Sequence, residues 1–199
     1  LPILGQIQVR RGEFSESITS FNSALSHEPR SALALAGRAR AKQRLNDLEG
    51  AANDYDQAIR ADGNLAEARA GRCWLDLNEK REFDRARQDA DAAVAADPRN
   101  VEGQLCRGVL QLRDGQWADA KTSFEAALAV ESGNPIALFG RGVARRLQRL
   151  AEHEPQCGRV RTLLEGRLQR DQRGGSVVAG EIRLGLGDGI GVRRLAARD

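Results

Sequence analysis

The sequence predicts an all-α protein: an α-solenoid of antiparallel helix hairpins stacked one on the next. Three observations carry that expectation. One segment returns four times, as SFNSALSHEP from Ser20, DYDQAIRADG from Asp54, DADAAVAADP from Asp89 and SFEAALAVES from Ser123. Its central alanines, Ala24, Ala58, Ala93 and Ala127, stand 34, 35 and 34 residues apart, a period that marks a repeat array. Hydrophobic residues make up 41% of the chain but aromatics only 4%, so the core is built from Ala, Leu, Val and Ile and suits close helix packing better than a β-sandwich. Finally, Gly, Asn and Pro recur at matching places between the apolar stretches.

Each unit is expected to hold two helices. In the second, a small residue precedes the central alanine by seven positions: Ser17, Ala51, Ala86 and Ala120. Three residues earlier comes a large apolar one, Phe14, Leu48, Phe83 or Trp117. Three before the central alanine stands Phe21, Tyr55 or Phe124, with Ala90 the exception and looser packing expected there. Spacings of three, four and seven put these residues on one helical face. The first helix of each unit carries its own small position at Gly5, Ala39, Cys73, Gly108 and, a fifth time, Gly142. Pro2 shortens the first of these helices at its start.

Between the helices of a unit lie RRGEF, RLNDL, NEKREF and RDGQW, where Gly12, Asn46 and Gly115 tolerate the left-handed conformation that ends a helix. The third turn has no such residue and is one residue longer, which accounts for the step of 35. Second helices stop near Pro29, Gly63, Pro98 and the SGNP at 132–135. One hairpin cannot bury its apolar face alone, so each unit covers the one before.

This pattern resembles the tetratricopeptide repeat, most closely in GEFSESITSFNSALSHEP and GQWADAKTSFEAALAVES. The resemblance covers residues 1–150, as units 1–31, 32–65, 66–100, 101–134 and a partial unit 135–150, with 151–199 a Gly/Arg-rich tail expected to be poorly ordered or weakly structured. It implies a right-handed superhelix whose first helices line a concave, partner-binding groove. The implied groove positions are Gln6, Val9 and Arg10; Arg40, Gln43 and Arg44; Trp74, Leu77 and Asn78; Val109, Leu112 and Arg113; Val143, Arg146 and Leu147. They combine arginines with an apolar strip and include no acid, which suits a protein or peptide with acidic and apolar side chains, because Arg pairs bidentately with carboxylates. Trp74 is read either as a ligand anchor or as packing against Leu105 and Val109. The dicarboxylate clamp that some family members use for chaperone tails is not matched, with Gln6 in place of Asn and Gly71 in place of a basic residue.

In the tail, Pro155 falls where a fifth second helix would run. RVRTLLEGRLQR has the pattern of a short amphipathic helix, and SVVAGEIRLGLGDGIGV that of a weak hairpin whose glycines lack the spacing of a nucleotide loop.

The remaining residues give no sign of catalysis or of a cofactor. His27 and His153 stand in no nucleophile or metal constellation, and the acids read as spread along helix surfaces for solubility. Cys73, Cys106 and Cys157, an odd number without metal spacing, are expected to be small buried thiols in a reducing compartment. No run is long enough to span a membrane. The chain starts LPILGQ, inside a repeat, and reads as a fragment; a cytoplasmic location is favoured. Arg far outnumbers Lys, which fits a GC-rich bacterial genome. A net charge of +3 beside 28 acids makes nucleic acid an unlikely partner despite the RGG at 173–175. The expected function is a non-catalytic protein-interaction scaffold, with a targeting arm of a larger enzyme as the alternative.

Overall fold

The computed structural model describes residues 2–79 and 82–152. Every regular element among them is a helix: α1 (Pro2–Arg11), α2 (Phe14–His27), α3 (Ala32–Arg44), α4 (Leu48–Ala61), α5 (Ala66–Asn78), α6 (Phe83–Ala96), α7 (Val101–Arg113), α8 (Trp117–Val130) and α9 (Pro135–Glu152). Pro2 opens α1, which at 10 residues is shorter than the 13 of α3, α5 and α7, as expected; the first turn needs no N–H donor there. The large residues Phe14, Leu48, Phe83 and Trp117 each begin a second helix. Asp47 and Asn100 cap α4 and α7 by accepting from the N–H of Gly50 at 3.0 Å and Gly103 at 2.7 Å. The expectations for the chain from His153 on, including His153 itself, the tail's helix, its hairpin and Cys157, lie outside the described residues.

Gly12, Asn46 and Gly115 all adopt positive φ, at 81°, 65° and 76°. Each is followed by a residue whose N–H reaches five residues back: Glu13 to Gln8 O at 2.9 Å, Asp47 to Lys42 O at 2.9 Å and Gln116 to Gln111 O at 2.8 Å. In the third turn the left-handed residue is Glu82, with φ 46°, a position that costs a side chain about 1–2 kcal/mol.

Consecutive first helices touch one another (α1 with α3, α3 with α5, α5 with α7, α7 with α9), and each second helix touches its own first helix and the next one. No two second helices are in contact. The row of first helices is therefore the tighter, inner row and faces the concave side. Between successive first helices, except α5 and α7, sits an aromatic wedge. Phe21 lies against Gly5 and Gly37, Tyr55 against Gly71, and Phe124 against Gly108 and Gly140. A Cβ at Gly37, Gly71 or Gly140 would run into the ring. These rings are 0%, 1% and 0% exposed, and burying each contributes several kcal/mol, on the order of 4–6 at 25 cal/mol per Å².

Two sequence expectations are corrected by the core. Cys73 and Cys106 are buried as expected, but they are joined in a disulfide between α5 and α7 rather than standing as free thiols. Ala90, where looser packing is expected, is fully buried in one cluster with that cystine, Ala86 and Leu110. The acids are not all at the surface either, since Asp54, Asp76 and Asp89 are buried. Asp54 receives Arg38 Nε and Nη2, both at 2.7 Å, and Lys42 Nζ lies 2.8 Å away. Asp89 receives Arg72 Nε at 2.6 Å, Arg72 Nη2 at 2.9 Å and Arg69 Nη1 at 3.0 Å. A buried carboxylate is tolerated only with such partners. Burial opposes the charge on Arg72, but its bonds to Asp89 and Asp56 outweigh that and hold its pKa above the ordinary arginine value.

Candidate peptide groove

Side chains of the first helices line the concave face, and some of them touch the wedges: Val9 packs on the Phe21 cluster and Gln43 accepts from the Tyr55 hydroxyl. Val9 and Arg10 leave α1, Arg40, Gln43 and Arg44 leave α3, and Trp74 and Asn78 leave α5. Val9, Phe14, Arg40, Gln43, Arg44, Tyr55, Trp74 and Asn78 share a cavity of about 580 Å³ with Val101, Glu102 and Leu105 of α7 and with Glu131, Asn134 and Ile136. A smaller cavity of about 200 Å³ continues it past Gln6, Val9, Arg10 and Arg40 towards Leu33 and Glu67.

Trp74 is half-buried and answers to both sequence readings. One side packs on the clusters that hold Leu105 and Leu110, and the indole Nε1 donates to Glu102 O at 3.1 Å. The rest of the ring forms part of the cavity wall. Beside it, the Tyr55 hydroxyl donates to Gln43 Oε1 at 3.2 Å. Burial is the main cause that pushes the Tyr55 phenol well above its ordinary pKa; Arg40 pulls the other way, and Glu102 adds to the rise. The hydroxyl is therefore a fixed donor that orients Gln43.

The arginines differ in what they are free to do. Arg40 reaches over α5 to pair with the Glu102 carboxylate. Arg44 lies over the Phe14 ring, 5.4 Å from its centroid, and no ion pair among the described residues holds it or Arg10. Glu102 and Glu131 correct the expectation of an acid-free groove. Neither was among the positions counted from the small residue. Glu102 lies in the first turn of α7 and Glu131 directly after α8.

The other expected groove positions are not brought to this cavity. Leu77, Val109 and Leu112 are half-buried against core clusters. Arg113 stacks over the Phe83 ring, 3.7 Å from its centroid. Val143 is half-buried on α9, and Arg146 lies with Arg145 and Arg149 in a separate shallow pocket on the same helix. Among the described residues, no group of three His, Cys, Asp or Glu is placed to hold a metal ion, and no helix is long and apolar enough to cross a membrane.

The family model described as "Tetratricopeptide repeat" matches residues 4–66, 75–119 and 105–156. No curated protein matches the chain. Among solved structures, the Arabidopsis OM64 TPR domain is similar at 25% identity and a TM-score of 0.53, over 58% of this chain and 95% of that one. The second TPR domain of human RPAP3, solved in complex with the HSP70 peptide SGPTIEEVD, is similar at 25% identity and a TM-score of 0.50, over 57% and 94%. The pilF protein of Pseudomonas aeruginosa shares the fold at 24% identity and a TM-score of 0.61, over 86% and 82%.

Proposed function

This chain belongs to the tetratricopeptide repeat family, and from that premise we propose that its concave groove binds a peptide segment of a partner protein, one that carries carboxylates beside an apolar anchor. One observation carries the reading: a half-buried Trp74 stands in a continuous cavity with Arg44, a cation that no carboxylate of the described residues engages. An apolar side chain laid on the indole would displace water from a surface already fixed by the bond to Glu102, and a neighbouring carboxylate would reach Arg44 or Arg10. The similar RPAP3 domain was solved with a peptide ending in EEVD, which supports an acidic ligand for a groove of this kind. The dicarboxylate clamp is absent here, so selectivity for a chaperone terminus is not part of the proposal.

An array of extended peptides, probed with the full chain, tests this. Peptides with one large apolar residue and two or more acids within a few positions are expected to bind, and their basic counterparts are not. Trp74→Ala is expected to cost a bound peptide about 2 kcal/mol, roughly thirtyfold in affinity, with the circular dichroism unchanged. Binding that ignores peptide charge and survives Trp74→Ala would remove the groove from the account.

A further inference from the structure

We propose that the Cys73–Cys106 cystine takes the place of the missing aromatic wedge in the third unit, so that the oxidation state of this pair sets how firmly the units on either side are held together. The argument is positional. In the other units the ring stands between the small position of its own first helix and a glycine two residues before the small position of the next. Phe21 stands between Gly5 and Gly37, and Phe124 between Gly108 and Gly140. Tyr55, which follows Ala39, lies against Gly71. The corresponding third-unit residues are Ala90 for the ring, Cys73 for the small position and Cys106 for the glycine. The only ring lost from the series is thus matched by side chains gained at both positions the ring would have touched, and those two sulfurs are bonded to each other. All three residues are fully buried in one cluster.

The junction also carries Trp74, next to Cys73 in the chain, whose bond to Glu102 O is a second tie between α5 and α7. The cystine is thus the covalent member of a pair of crosslinks at one wall of the groove.

Its formation balances as thiol–disulfide exchange with a small disulfide such as oxidised glutathione. The thiolate of one cysteine attacks a glutathione sulfur, the glutathione S–S bond breaks, and one glutathione leaves as thiolate. The thiolate of the second cysteine then attacks the protein sulfur of the mixed disulfide and releases the second glutathione. Two electrons pass from the cysteine pair to glutathione, and the two thiol protons end on the two glutathione thiols. Both sulfurs are out of solvent's reach once α5 and α7 pack, so exchange belongs to the opened junction.

The test equilibrates the full chain in a glutathione redox buffer, maps its thiols by alkylation and mass spectrometry, and follows thermal unfolding with and without dithiothreitol. A peptide pair joined through Cys73 and Cys106 is expected, reduced slowly in native buffer and quickly in denaturant. Reduction is expected to lower the midpoint by about 5–15 °C, since the bond closes a loop with a sequence separation of 33. The double variant Cys73→Ala, Cys106→Gly is expected to melt with the reduced protein or below it. Adding Ala90→Phe restores the ring and is expected to return the midpoint to within about 3 °C of the oxidised wild type, now indifferent to dithiothreitol. Free, alkylated Cys73 and Cys106 in the redox buffer overturn the proposal. So does a double variant as stable as the oxidised protein, or a triple variant no more stable than the double, because ring and cystine would then not be interchangeable.

Discussion

Tyr55 joins the fold to the groove: its ring wedges α3 against α5, and its hydroxyl holds Gln43 at the cavity wall. Its raised pKa has a thermodynamic consequence. The unfolded chain loses the phenolic proton near pH 10 while the folded one keeps it, so stability is full below that pH and falls as pH rises above it. Wild-type protein is expected to lose up to about 1.4 kcal/mol per pH unit above pH 10 from this group, and Tyr55→Phe to lose that much less in parallel urea titrations. Asp89 makes the opposite kind of prediction. Asp89→Ala leaves Arg69 and Arg72 without their buried acceptor and is expected to cost about 3 kcal/mol by the same measurement. Which residues pack was legible from spacing, but which acids are buried was not, because acids were read by composition. A signal did exist: Asp54 and Asp89 both fall four residues before a central alanine, on the face that the repeat buries. The cystine was hidden for a related reason, since Cys73 satisfies the small-residue pattern and Cys106 belongs to no position counted at the sequence level.

The order and approximate ends of the second helices were legible because three signals agree there: a periodic apolar face, a large residue at the start, and a breaker after the end. The third turn shows where agreement fails. Without Gly or Asn, the chain places Glu82 in the left-handed region at the entry to α6. Glu82→Gly removes the clash of its Cβ and is expected to stabilise the protein by about 0.5–1 kcal/mol, read as a higher urea midpoint with an unchanged slope. Wedges and glycines also act as pairs of elements. Gly71→Ala drives a methyl group into the Tyr55 ring, so that α5 must move off α4; a loss of about 1–3 kcal/mol is expected.

Across the helices of residues 2–152, the curvature follows from a simple asymmetry. First helices pack on one another through glycine and alanine, and second helices do not meet, so the stack bends towards its first helices. That places Arg44, Trp74 and Asn78, from two different units, on one wall. Counting positions within a unit named these residues, and they line one cavity. It could not find Glu102 or the tie from Arg40 across to it, because such contacts depend on how three units converge. The same counting named Leu77, Val109 and Leu112, which lie half-buried against core clusters and do not line this cavity. The central claim is that the partner is held on this concave wall. Its most direct test is affinity capture on the full chain, on Arg44→Glu with Trp74→Ala, and on a convex-face control, Glu49→Arg, with helicity matched by circular dichroism. A partner retained by wild type and by the convex control, and lost from the groove variant, is the predicted result. A partner retained by the groove variant and lost from the convex control would contradict the claim.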